Sequence, residues 1–430
     1  MTGAVIGIAI LVLFLMLTGM PVAFAMLLAG GLGLYLTVGF APLVGVIQSA
    51  PYEAVSGYTL STVPMFVLLG YFLTASGMSR DLFDASHRWL GHVRGGLAYA
   101  AVAGGVMLAA ISGSTAAAAA TLAGAAYPDM RRYGYDDSFS TGVLAVVGTL
   151  AIMIPPSLAF VFYGIYTETS IGQLFMAGVV PGLLTALGYI VLINVILRRK
   201  KSAAPEPEPK LPLSTRVRAL RFVWPFLLLV TLMLGGIYSG IVTPTEAGGV
   251  GAFATLVIGV GMGRIGWGAF NTALGAAVRT TGMIMAILAC AAVFSVFLAI
   301  TGTTQQLLGY VQSNGYSPNA VLVCVILLLI LLGCFIDQIS VLVITLPLVF
   351  PLMTGLGFDP IWLGVIYVKA AEIGFITPPM GLNCFVVAGA AGVPVNRVFR
   401  GVWPFVAFEI ALLVLLILFP QISLWVPNSM

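Results

Sequence analysis

Charge is what this sequence has least of. Only 7% of its 430 residues are Asp, Glu, Lys or Arg, against 60% apolar, where a soluble domain carries about a quarter charged residues. That shortage excludes an ordinary soluble enzyme or binding module. Histidine is nearly missing too: His87 and His92 are the only two, both within one short amphipathic stretch. A buried nucleophile–base pair or a histidine proton relay therefore has no raw material, and a membrane-embedded enzyme is disfavoured. The four cysteines, Cys290, Cys324, Cys334 and Cys384, lie in apolar surroundings without metal-ligand spacing, and read as small core-filling residues.

What the chain does have is long apolar runs from end to end, with a mean hydropathy of +1.11. Runs of this length fill a hydrocarbon layer about 30 Å thick, and none shows the short alternation of barrel strands. The expectation is an all-α polytopic membrane protein. The first run, from Val5 to Tyr35, lacks a basic start and a small-residue cleavage site, and reads as retained membrane helix rather than a signal peptide. Eight of the eighteen Lys and Arg fall between Arg198 and Arg221, in RRKKSAAPEPEPKLPLSTRVRALR. Pro–Glu alternation marks an extended linker, and its basic character assigns residues 198–221 to the cytoplasm.

Two copies of one pattern flank that linker. GTLAIMIPPSLAF and EIGFITPPMGLNCF align with an offset of 223 residues, which also pairs Pro128 with Pro351, Gly134 with Gly357, Asp136 with Asp359, Phe162 with Phe385, Gly178 with Gly401 and Pro181 with Pro404. FLTASG (72–77) matches FLAITG (297–302) at an offset of 225. Shared prolines and glycines imply shared backbone breaks.

Each copy also holds two apolar pieces around a polar knot. In the first, Ala98–Ile111 and Ala116–Tyr127 flank Ser112-Gly113-Ser114-Thr115; in the second, Ala320–Cys334 and Ile339–Phe350 flank Phe335-Ile336-Asp337-Gln338. Each piece makes about 20 Å of helix at 1.5 Å per residue, short for a crossing, so each copy predicts a re-entrant hairpin. Arg88, Arg94, Arg131 and Arg132 flank the first hairpin, whereas no Lys or Arg occurs between Arg279 and Lys369 around the second. The hairpins should enter from opposite faces, which makes the repeats inverted, as in many secondary transporters. Ordinary packed helices with small residues at the contact are the competing reading.

The expected division is 1–78 N-terminal scaffold, 79–95 an amphipathic interfacial helix, 96–181 the first hairpin and broken helix, 182–279 scaffold carrying the linker, 280–319 the arm of the second repeat, 320–404 the second hairpin and broken helix, and 405–430 a C-terminal helix. In the amphipathic stretch, Leu82, Phe83, Trp89, Leu90 and Val93 fall on one face, as in a helix lying in the interface.

The chemistry should sit where the backbone is broken. A proline removes an amide and frees the carbonyl four residues earlier, and in lipid such a carbonyl needs protein, water or an ion. Ser112, Ser114 and Thr115 with the segment Ala151–Pro156 form one candidate cage of hard oxygens for a small cation. Asp337 with Gly374, Thr377 and Pro379 forms its symmetry mate, a carboxylate at a hairpin tip being functional by default. Glu372 has Lys369 at i, i+3 spacing, so a structural ion pair competes with function; Glu246 and Glu409 carry less weight. Ser157, Thr167 and Asn383 join Thr115 as candidate substrate contacts. No cofactor and no transition metal is expected.

SGSTAAAAAT, IPPSLAFVFYG, SIGQLFMAGVVPGLL and EIGFITPPMGLN together resemble the large membrane subunit of tripartite ATP-independent periplasmic (TRAP) transporters, over essentially the whole chain. The resemblance implies Na⁺-driven import of an organic acid across a bacterial inner membrane by an elevator mechanism. It also implies two partners, a small four-helix membrane subunit and a periplasmic substrate-binding protein. By motif, one sodium site would use Ser112 and Ser114 with backbone oxygens near Ala151, Ile154 and Pro156. The other would use Phe335 and Asp337 with Gly374, Thr377 and Pro379, substrate lying between the breaks. Ala151 stands where glycine is expected, a departure that keeps the carbonyl and stiffens the turn. Because the chain begins directly with the large subunit, the small subunit is expected as a separate polypeptide. A proton-coupled or stand-alone anion carrier, and a channel, are the remaining transport alternatives; carboxylates, sugar acids and sulfonates all stay open as substrates.

Overall fold

The computed structural model describes residues 11, 18–112, 115–207 and 209–429. All regular structure among them is helical, and six helices are long and apolar enough to cross a bilayer, or seven if one bent pair counts as a span.

Much of the expected Val5–Tyr35 helix lies outside the described residues; from Val22 onward come α1 (Val22–Val38), α2 (Phe40–Ser56) and α3 (Thr62–Ala75). These pack along a later 34-residue helix, α13 (Trp267–Ile300). Lipid offers no hydrophobic gain for bringing helices together, so close backbone approach has to supply the attraction. Gly30 does this on α1: a β-carbon there would sit 2.7 Å from the Phe294 Cα. Between these elements come α4 (Met78–Leu90), α5 (Gly96–Ser112), α6 (Thr115–Arg132), α7 (Asp137–Met153), α8 (Leu158–Thr167), α9 (Ile171–Arg199), α10 (Leu213–Leu220), α11 (Trp224–Tyr238) and α12 (Pro244–Gly261). After α13 follow α14 (Thr303–Ser313), α15 (Pro318–Gly333), α16 (Gln338–Gly355), α17 (Pro360–Ile376), α18 (Leu382–Ala391), α19 (Val395–Leu418) and a short α20 (Gln421–Leu424).

The repeat is visible in local chemistry. Gly134 and Gly357 both take positive φ, 84° and 91°, a conformation open to glycine because it lacks a β-carbon. Two residues on, Asp136 and Asp359 cap α7 and α17, accepting from the Phe139 and Trp362 amides at 2.9 and 2.8 Å. The Pro155–Pro156 and Pro378–Pro379 bonds are both cis, and each lies between the halves of a broken helix, α7/α8 or α17/α18. Gly77 and Gly302, both left-handed, precede α4 and α14.

Packing between the copies is reciprocal. Hairpin arm α6 lies on α18, and its counterpart α16 lies on α8; α7 lies on α19, and α17 lies on α9. The mates α7 and α17 also touch each other, as do α9 and α19. Contacts that exchange in this way are the signature of a two-fold relation, and the opposite charge flanks of the hairpins set that axis in the membrane plane.

Several expected boundaries move. Hairpin arms α5, α6, α15 and α16 run 16 to 18 residues, or about 24–27 Å, longer than the sequence pieces suggested. Pro128 and Pro351 lie inside α6 and α16 rather than ending them. The divisions at 181/182, 279/280 and 404/405 fall within the continuous helices α9, α13 and α19; Pro181 and Pro404 are accommodated without a break. In the amphipathic element, Leu82 and Phe83 are buried, but the helix ends at Leu90 and Val93 is exposed beyond it.

The linker is more ordered than Pro–Glu alternation implied. Residues 198–199 finish α9, and 213–220 form α10. Lys200 pairs with Asp136 at 2.8 Å, the Asp136 amide donates to the Ala203 carbonyl at 3.1 Å, and Arg216 lies 4.5 Å over the Trp89 ring on α4. Burial alone would raise the Asp136 carboxyl pKa, but the Lys200 hydrogen bond and charge and the Phe139 and Ser138 amides outweigh it and hold it below its ordinary value.

Candidate functional site

At the second break, α17 ends because residues 378 and 379 have no amide to donate. The helical partners of the Gly374 and Phe375 carbonyls are thus missing, and Gly374 O takes only the Thr377 amide, at 3.1 Å. The hairpin tip lies directly against this break. A β-carbon on Gly374 would sit 2.6 Å from Ile330 O and 2.7 Å from Gly333 Cα, so glycine is what lets the two backbones touch. The Gly381 amide donates to Cys334 O at 3.2 Å, and the Cys334 thiol faces Pro378 O at 3.8 Å. Thr377 donates its hydroxyl proton to Ile373 O at 2.6 Å, leaving its oxygen as an acceptor.

Asp337 is the N-cap of α16, accepting from the Ser340 amide at 3.2 Å and from the Ser340 hydroxyl. The Asp337 carboxylate is thus already engaged by Ser340. The Phe335 side chain is exposed. The second hairpin meets its break through Gly333 and Cys334.

The first break repeats the logic. Helical donors for the Ala151 and Ile152 carbonyls would be residues 155 and 156, both proline. Ile154 closes α7 by donating to Leu150 O at 3.0 Å, and Ser157 restarts the chain as the N-cap of α8. The Ala151 methyl is fully buried, so this departure from glycine fits without moving the break. The expected tip residue Ser114 lies outside the described residues, and of Ser112 only the backbone at the end of α5 is described. A cavity of about 80 Å³ adjoins this break, where Val67, Gly70, Tyr71, Thr74 and Thr280 face Ala117 and Leu158.

The substrate candidates separate. Thr115 and Ser157 are buried beside the first break, and Asn383 is fully buried on α18. The Asn383 amide reaches Ala145 O on α7 at 3.5 Å, while its Oδ1 has no partner. Asn383 thus joins the two repeats. Thr167 does not belong to this group: it ends α8, ten residues or about 15 Å beyond the break, and bonds Tyr163 O and Thr169. The cavities at that end, of about 780 and 490 Å³, are both lined by Glu168.

Between the breaks lies a cluster the sequence reading undervalued. Lys369 Nζ pairs with Glu372 at 3.1 Å, with Glu409 on α19, and with the Thr185 hydroxyl on α9 at 3.0 Å. Tyr189 donates to Glu409, and Thr149 lies 3.4 Å from the Tyr189 hydroxyl. All three charged side chains are completely buried. Glu409, set aside in sequence as a weak candidate, is a full member. The available signal was an acid within an apolar run; its partners are 40 and 220 residues away.

Paired breaks on a two-fold, the second of them against its hairpin tip, inside a multi-span helical bundle have the architecture of a membrane permease. Residues 9–422 match the family described as "Tripartite ATP-independent periplasmic transporter, DctM component", and the chain belongs to that family. It is 37% identical to the C4-dicarboxylate TRAP transporter large permease protein DctM of Pseudomonas aeruginosa, over 88% of each chain. It is 30% identical to the sialic acid TRAP transporter large permease protein SiaM of Vibrio cholerae, over 96% of each. The isethionate TRAP transporter permease protein DctMQ of Oleidesulfovibrio alaskensis is 33% identical over 95% of this chain but only 64% of that one. Among solved structures, the YdaH transporter of Alcanivorax borkumensis shares the fold, with a TM-score of 0.61 at 16% identity over 91% of this chain and 90% of that one.

Proposed function

We propose that the protein is the large transmembrane subunit of a Na⁺-coupled importer of an organic acid in a bacterial inner membrane, with residues 198–221 on the cytoplasmic side. A separate small membrane subunit would extend the scaffold, and a periplasmic binding protein would deliver the acid. Relatives named for C4-dicarboxylates, sialic acid and isethionate support an anionic substrate, carboxylate or sulfonate.

The observation that carries the reading is the pair of Pro-Pro breaks, each leaving two carbonyls without helical donors, the second of them against its hairpin tip. Unsatisfied carbonyls, the Thr377 hydroxyl and the Asp337 carboxylate are hard ligands suited to Na⁺ and to no soft metal. One ion would sit by Ser112, Ser114, Ala151, Ile154 and Pro156, the other by Phe335, Asp337, Gly374, Thr377 and Pro379. Substrate between them would meet Thr115, Ser157 and Asn383. Residues 96–181 and 320–404 would move as one body against the scaffold around α1–α3 and α13. The cavity between Tyr71, Thr280 and Leu158 would then lie on that boundary.

The test is uptake into proteoliposomes holding both membrane subunits, with binding protein outside and an imposed Na⁺ gradient. Accumulation should follow the gradient and stop when K⁺ replaces Na⁺. Uptake indifferent to that exchange sinks the sodium assignment.

A further inference from the structure

The buried cluster has two carboxylates and one ammonium. With all three ionised it would hold one uncompensated negative charge, and burying an unpaired charge is among the costliest arrangements in a protein. The hydrogen bonds show where the imbalance falls. Lys369 has three protons and three partners: Thr185, Glu372 Oε2 and Glu409 Oε2. Glu409 accepts from the Tyr189 hydroxyl at Oε1 and has the Lys369 ammonium against Oε2 as an ion pair, although Oε2 makes no directed hydrogen bond. Glu372 is engaged at one, and its Oε1 is buried without a hydrogen-bond partner.

Thr149 lies beside Glu372. Its hydroxyl donates to Val146 O at 2.7 Å, and the Tyr189 hydroxyl, 3.4 Å away, donates to Glu409. With its proton donated to Val146 O, the Thr149 oxygen is an acceptor for a protonated Glu372.

We propose that the Lys369–Glu372–Glu409 cluster is a proton-binding site, with the proton on Glu372 Oε1 shared toward Thr149. This goes beyond the sodium reading and does not depend on it. The other titratable groups around α17 have partners elsewhere. Tyr163 on α8 donates to Pro360 O at 2.8 Å, Tyr367 donates to Thr345, and Cys334 faces the Ile330 and Pro378 carbonyls. The charges facing Glu372 are then Lys369 on its own helix and Glu409 on α19, with the Tyr189 phenol from α9.

The test is infrared spectroscopy of the full-length chain in lipid nanodiscs at about pH 8, comparing ¹³C-glutamate-labelled with unlabelled protein. At that pH ordinary glutamates, with pKa about 4.3, are ionised. Of the other described glutamates, Glu53, Glu168, Glu206 and Glu246 are exposed. The wild type should show one glutamic-acid carbonyl band that shifts with the label. The band should vanish in Glu372→Gln, and also in Glu409→Gln, which leaves Lys369 matched one to one with Glu372. A wild type without the band overturns the proposal whether or not the variants fold. A band that survives in Glu372→Gln overturns it as well.

Discussion

Gly401 faces α7 at a close backbone contact between the repeats. An ideal β-carbon there would lie 1.8 Å from Ser138 O and 3.0 Å from Gly142 Cα; one on Gly142 would lie 2.4 Å from the Gly401 carbonyl carbon. Real contacts of this kind need more than 3 Å, so Gly401→Ala must push α19 off α7 by about 1 Å. A gap of that size forfeits a quarter to a half of each dispersion contact along the seam, and overpacking of this kind costs about 1–3 kcal/mol. The folded-to-unfolded ratio should therefore fall about 5- to 150-fold. Gly275, on α13 with no atom within 4 Å of the same position, is the control: Gly275→Ala should stabilise by about 0.5–1 kcal/mol through helix propensity. Denaturant unfolding of the purified proteins in one detergent, followed by tryptophan fluorescence, reads both. If the two variants move stability in the same direction, the backbone contact does not hold the repeats together. The repeat mate Gly178, whose β-carbon would meet Met153 O at 2.6 Å and the Phe160 ring at 2.5 Å, should respond like Gly401.

Lys369→Met leaves the completely buried Glu409 carboxylate without its counter-ion and should cost about 3–5 kcal/mol, seen as loss of monodisperse protein on size exclusion; normal yield and stability would contradict the burial. Asp337→Asn keeps a residue that caps helices equally well, so stability should change by a few tenths of a kcal/mol at most, whereas Na⁺-dependent uptake should fall at least tenfold. Full Na⁺ dependence in that variant removes Asp337 from the site. Because the Asp136 carboxyl is held below its ordinary value, its contribution is present above about pH 4 and disappears as pH falls through the lowered value. With Lys200 57% exposed and Asp136 30% exposed, the loss is worth less than about 1 kcal/mol, and Asp136→Asn should flatten the acid limb of the unfolding curve by that amount.

Much of the fold was legible because prolines and glycines act locally. The Pro-Pro breaks, the Gly134 and Gly357 turns and the Asp136 and Asp359 caps each need only a few neighbouring residues, so a fixed offset exposes them. The same residues misled elsewhere: Pro128, Pro181, Pro351 and Pro404 all sit inside continuous helices. The Lys369–Glu409 contact was not legible at all, since two helices must first pack before those side chains meet. Thr167 looked close to the break because it is close in sequence, but a helix carries it away at 1.5 Å per residue.

The reciprocal packing has a consequence for how the chain can be divided. Residues 205–212 join the docked 200–204 segment to α10, and of those described Glu206, Leu211 and Pro212 are exposed. A cut there yields two fragments, each with a complete hairpin and a complete broken helix, yet neither can cover its own: α8 rests on α16, and α18 rests on α6. Co-expressed halves should find each other through those mutual seams, whereas either half alone presents the membrane with an unfinished surface. The molecule is wired as a dimer of halves that happens to be one chain.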